Sequence, residues 1–260
     1  MSARSVGAGS LLLARLVLFC LPAANVMAVD AVGVARDVSG GEVLYREQHQ
    51  VGPDSRHIEY RDAQGRLIAT NSLDYSYSTT SPAYTQKDLR NDLTQGARWE
   101  GGALVLFSGG QAAQVGFTAP LVISSGFDGF VRENWAALVS GQRRVFDFAL
   151  PDRLTTVRMR IEREAAPSGE HGGRYTFVTQ PDNFLVRWLG APIELVYDDE
   201  RRLLRYRGVS NLLNSQGQGQ RVVIDYSYAA RVAAASPQTA EQDSTDAGRE
   251  PASSQGGPDR

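Results

Sequence analysis

The chain has 260 residues, a formal net charge of -2 and one cysteine, Cys20. A balance so close to neutral gives no electrostatic reason to expect nucleic acid or an anionic membrane as partner. One thiol cannot build a disulfide framework, and its loss with a cleaved leader would also exclude thiolate metal ligands and a cysteine nucleophile.

The first element in chain order is an export signal. Arg4 and Arg15 precede the apolar stretch Leu16 to Ala24, and Val26-Met27-Ala28 places small or apolar residues where signal peptidase reads. Cleavage is expected after Ala28, making residues 1–28 a signal peptide. A retained anchor would need roughly 20 apolar residues, and Arg15 interrupts the run too early. Phe19 is too large for the position before a lipidated cysteine. The expected compartment is periplasmic or otherwise exported, with no transmembrane span after cleavage. Removal of Arg4 and Arg15 leaves the remainder two units more negative.

Residues up to Ser39 carry little pattern, and a single β-rich domain is expected over 40–230. Val43 and Tyr45, Ile58 and Tyr60, and Leu73, Tyr75 and Tyr77 alternate with polar residues. Val157, Met159 and Ile161 alternate with Arg158, Arg160 and Glu162, and Val222, Ile224, Tyr226 and Tyr228 repeat the theme. A period of two puts one row inside and one in water. Asp62-Ala63-Gln64-Gly65, Gly101-Gly102, Gly109-Gly110, Asp198 to Arg201 and Gly217-Gln218-Gly219 supply turns between these runs. Short connections imply sequential antiparallel hairpins, roughly ten to twelve strands in all.

One segment changes period. Phe127, Phe130, Val131, Trp135, Leu138 and Val139 fall mostly three or four apart, which predicts an amphipathic helix. Ser124 or Ser125 is expected to cap it and Gly141 to end it. Phe184 to Leu189 reads as either a strand or a short helical turn. From Ala233 to Arg260 large apolar residues vanish, so 233–260 reads as a disordered tail. The expected fold class is mainly β: a curled antiparallel sheet, an open or half barrel, packed on one amphipathic helix.

Chemistry-bearing motifs are sparse. His49 and His57 sit on neighbouring predicted strands, but their spacing matches no metal signature, and His171 lies in a Gly-rich loop. Ser124-Ser125-Gly126 lacks the glycine that a nucleophile elbow places two residues before its serine. Asp198, Asp199 and Glu200 fit a turn, and Asp128 fits a helix start. Arg158 with Arg160, and Arg205 with Arg207, form rows that could hold an anion if their faces met; wet sheet faces carry such rows too. All positive charge except Lys87 is arginine, as GC-rich coding produces. These residues point to no catalytic residue, no metal and no cofactor.

Two segments carry a resemblance. Ser125-Gly126-Phe127-Asp128-Gly129-Phe130-Val131-Arg132 through Trp135, and Arg205-Tyr206-Arg207-Gly208-Val209-Ser210-Asn211, resemble uncharacterised secreted proteins of Gram-negative bacteria over most of residues 40 to 228. No activity is assigned to that group, so the resemblance implies a compartment and a shared fold only. By pattern, the expected curled sheet over a helix is also similar to periplasmic lipoprotein carriers.

The leading expectation is a non-enzymatic binding module for an apolar or lipid-like ligand, contacted by Phe127, Phe130, Trp135, Arg158 and Arg160. An envelope interaction or structural protein with another envelope protein as partner is the second. A hydrolase built around His57 with Asp or Ser neighbours is the third.

Overall fold

The computed structural model describes residues 29–39, 41–165, 173–183 and 192–229. The expected signal peptide, the loop carrying His171, the Phe184 to Leu189 segment and the expected disordered tail lie outside these residues.

The described chain forms one sheet of fifteen strands, more than the ten to twelve expected. Eight come first: β1 (Ala31–Asp37), β2 (Val43–Val51), β3 (Ser55–Asp62), β4 (Leu67–Asp74), β5 (Ala83–Asp88), β6 (Leu93–Glu100), β7 (Ala103–Ser108) and β8 (Gln111–Val115). Then β9 (Leu121–Val122) leads into two short helices, α1 (Gly126–Glu133) and α2 (Trp135–Val139). The remainder is β10 (Arg144–Leu150), β11 (Thr155–Arg163), β12 (Arg174–Pro181), β13 (Ile193–Asp198), β14 (Leu203–Val209) and β15 (Arg221–Tyr228). The spatial order runs from β8 down to β1, then from β15 down to β9. All pairings are antiparallel except β9 with β10.

The first strand carries little sequence pattern for a physical reason. In β1 the inward positions are Ala31, Gly33 and Ala35, all small. A Cβ on Gly33 would stand 2.8 Å from a Tyr226 ring carbon and 3.1 Å from Glu47 Oε2. Small residues there make room for large neighbours, so no apolar period shows. The expected strand through Tyr75 and Tyr77 instead stops at Asp74. Asp74 Oδ1 accepts the Ser76 amide at 2.9 Å, and Ser78 Oγ accepts the amides of Thr80 and Ser81. These local bonds compete with the ladder and turn the chain.

The two sheet edges, β8 and β9, are neighbours in sequence, and five residues, 116–120, join them. Such a link reaches about 20 Å at most, so the sheet has to curl until its edges approach. Register then shows a scroll. Val122 shares a face with Phe148, and that face carries Phe146, Ile161, Phe177 and Leu195 in the second core. Leu121, Ile123 and Ala149 point from the reverse face of β9 and β10 into the first core, with Tyr60, Tyr84, Leu104 and Leu106. The β9 end is therefore rolled inside the other half of the sheet, open but overlapped. Ile123 N donates to Thr80 O at 3.0 Å and fastens the tucked edge.

The predicted helix is two helices, interrupted at Asn134, whose side chain donates to Phe130 O at 2.9 Å. Ser125 precedes α1 but makes no side-chain cap bond. Gly141, at φ 85°, ends the segment as expected, with Gln142 N donating to Ala137 O. Gly126 and Gly129 let α1 sit against the β4–β5 loop, since a Cβ would meet Thr80 O at 2.1 Å or Thr79 O at 2.5 Å.

Candidate functional site

The sequence-predicted ligand residues fall into two separate groups. Phe127, Phe130 and Trp135 lie on the helices and face the second core. Phe127 and Phe130 pack on Phe146 with ring centroids 5.4 and 4.9 Å apart, and Trp135 packs edge-on against Tyr175, Phe177 and Tyr197. Arg158 and Arg160 point from the opposite face of β11, because they alternate with Met159 and Ile161. Arg158 Nε donates to Asp147 Oδ1 at 2.6 Å. Arg160 has its nearest carboxylate, Glu162, at 3.8 Å, and its buried Nε has no hydrogen-bond partner. Arg205 pairs with Asp225 at 2.7 Å. The aromatic set and the arginines therefore do not converge on one site.

A polar cluster lies on the inner face of β1–β5 and β15. Glu47 and His49 are both buried, and Glu47 Oε2 accepts hydrogen bonds from Tyr226 Oη and His49 Nε2 at 3.0 Å each. Tyr45 and Tyr60 also lie there; Tyr45 Oη meets Ser210 Oγ at 2.8 Å, and Asn211 Nδ2 donates to Tyr60 Oη at 2.8 Å. Burial first, and the Glu47 carboxylate second, push the Tyr45, Tyr60, Tyr206 and Tyr226 phenols well up. All four stay protonated, and of them Tyr226 donates to Glu47, while Tyr206 donates to Val209 O at 2.6 Å. The tyrosines supplied a sequence signal, but Glu47 and His49 read there as ordinary strand polar residues.

His57 belongs to the other face. Its Nδ1 lies 3.1 Å from Ser72 Oγ across the β3–β4 pair. The histidine–serine encounter that a hydrolase would need is therefore present, but its surroundings are not catalytic. Ser72 sits mid-strand between His57 and Thr85, its backbone flanked by ladder partners on both sides. No strained turn activates it, and the ladder occupies the amides an oxyanion hole would use. Two shallow depressions, of about 370 and 320 Å³, lie on this outer face and share Arg98 and Phe107. Among the described residues, no group of three or more His, Cys, Asp or Glu side chains is placed to hold a metal. Also among them, no helix is long and apolar enough to cross a membrane.

The aromatic surface lies elsewhere, at the seam where the two sheet edges approach. Tyr77, from the β4–β5 loop, and Phe117, from the link between β8 and β9, are 63% and 43% exposed. Trp99, at the end of β6, stands between them with ring centroids 4.7 Å from Tyr77 and 6.2 Å from Phe117. Each ring has a fixed base. Trp99 Nε1 donates to Ser81 O at 3.0 Å. The link carrying Phe117 is pinned by Thr156 Oγ1 to Gly116 O at 3.1 Å, and by the Thr118 and Ala119 amides to Asp147 Oδ2 at 2.7 and 2.9 Å. Arg158 donates to Thr118 Oγ1 as well as to Asp147, so a residue predicted to touch ligand instead holds the loop beside the patch. Sequence reading placed Tyr77 on a strand and did not single out Trp99 or Phe117, because three distant segments build the patch.

The chain matches no known family model, no curated protein and no solved structure. The reading of function accordingly stands on geometry alone.

Proposed function

We propose that this is an exported, non-catalytic binding protein that takes an apolar or lipid-like group at the Tyr77–Trp99–Phe117 surface. The observation that carries the reading is the exposure of two large aromatic rings on anchored loops. Monomeric proteins keep contiguous exposed apolar patches small, and a larger one marks a contact site. Rings held in place before contact lose little freedom on binding. The interior supports a ligand less well, since Phe127, Phe130 and Trp135 already pack against sheet rings.

The test uses N-phenyl-1-naphthylamine, an apolar dye that brightens on leaving water, competed by a lysophospholipid. Wild type should bind the dye and release it to the competitor. A Tyr77→Ser/Phe117→Ser variant should melt like wild type, both rings being exposed, while dye affinity falls by about tenfold or more. Equal affinity in the two proteins would refute the assignment. A second reading, an interaction protein of the envelope, rests on the same exposed rings; dye binding without lipid competition would favour it.

A further inference from the structure

Natural sheets guard their outermost strands against pairing with other chains, by charged side chains, proline, bulges or a covering segment. One edge here is guarded: β9 has two residues, is rolled inside the scroll and is fastened by the bond from Ile123 N to Thr80 O. The other edge is bare. Strand β8, Gln111-Ala112-Ala113-Gln114-Val115, pairs with β7, and among the described residues no strand pairs with its outward side. From Gly109 to Gly116 the chain contains no charged residue and no proline.

We infer that β8 pairs antiparallel with β8 of a second copy of this chain, about a two-fold axis through Ala113. In that register Gln111 faces Val115 of the copy, and Ala112 faces Gln114. Side chains keep their faces, because an antiparallel pair joins like faces of a sheet. Just outside the pair, Gly110 meets Gly116, and neither carries a side chain; Gly116 O already accepts from Thr156 Oγ1, so the ladder ends at Gln111 and Val115. A second copy fits better than a charged peptide for two reasons. The edge offers no charge for a foreign partner to read. Its five uncharged residues, bounded by glycines, are matched in length and chemistry by the same strand of a second copy. The pairing is symmetric and closes on itself as a dimer. Its area falls below the roughly 1,200 Å² of a standard interface, so the association is weak and concentration-dependent. The inference is independent of the ligand reading.

The test is sedimentation of the exported protein, without its expected leader, over loading concentrations from about 1 to about 500 µM, the range in which so small an interface would associate. The weight-average mass should rise from that of one chain towards twice that value. Ala112 and Gln114 are exposed and share the outer face. An Ala112→Lys/Gln114→Lys variant puts lysine opposite lysine twice across the axis, and Ala112→Glu/Gln114→Glu does the same with glutamate. Each alone should stay at the mass of one chain. An equimolar mixture should associate again, and at least as well as wild type, because every cross-axis pair then joins opposite charges. Wild type that stays monomeric throughout, variants that associate like wild type, or a mixture that fails to associate would each overturn the proposal.

Discussion

Asp147 shows how one side chain can serve as a joint. Its carboxylate, nearly buried at 6% side-chain exposure, takes hydrogen bonds from Arg158 and from the Thr118 and Ala119 amides. Burial works against its ionisation, but the Arg158 bond and the two amides outweigh it and hold its pKa below the usual carboxylate range. Asp147→Ala leaves two amides and a guanidinium without their acceptor, and should cost about 3 kcal/mol in urea denaturation at pH 7. A lowered folded pKa means the ionised carboxylate stabilises the fold at pH above the unfolded value near 3.9, as estimated for a free aspartate. That contribution is lost as pH falls through the lower folded value. The stability gap between wild type and the alanine variant should therefore narrow below about pH 4; a constant gap from pH 7 to pH 2 would contradict this account. Nothing in the sequence near Asp147 announces the role, since its partners come from residues 118, 119 and 158.

At the scale of elements, helical periodicity from Phe127 to Val139 identified the right stripe, and its residues do face a core. Phe130 and Leu138 are buried, whereas Trp135 is half-buried, with its ring under the Arg201 guanidinium at 5.6 Å. Phe130→Ala should cost about 3–5 kcal/mol, and Trp135→Ala should cost less, because one side of its ring is not packed. Chemical denaturation of the two variants checks the order, and the reverse ranking would show that the helices are anchored at α2 instead of α1. Strand alternation was equally legible for β11 and β15, where large residues fill the inner face. It failed for β1, whose inner face is small, and beyond Asp74, where side-chain-to-backbone bonds turn the chain. Periodicity reports where large residues face a core, so it is blind to strands that contribute space.

Across the whole molecule, rolling the sheet past its own edge makes two cores share β9 and β10. Leu121 and Ile123 belong to the first and Val122 to the second. Ile123→Ala should therefore destabilise both halves together, by about 2–4 kcal/mol. Hydrogen exchange should report increased opening in β5–β7 and in β10–β12 alike. Protection lost in one half only would mean that the halves are separate cooperative units.

The sequence by itself determined that the chain is mainly β, where five of its turns fall, and that an aromatic stripe of helical period packs against the sheet. These follow from local alternation, glycine and aspartate turn chemistry and the spacing of large apolar residues, all read within a few neighbours. Only the tertiary structure decided the number of strands, the scroll and the contacts built across it. The Glu47–His49–Tyr226 cluster, the Asp147 joint and the aromatic seam each join residues between 2 and 179 positions apart. The first depends on strand order and register across β2, β1 and β15, whereas the seam depends on how far a twisted sheet curls and on which edge passes inside. That choice is made by the packing of the whole sheet, and no local pattern encodes it.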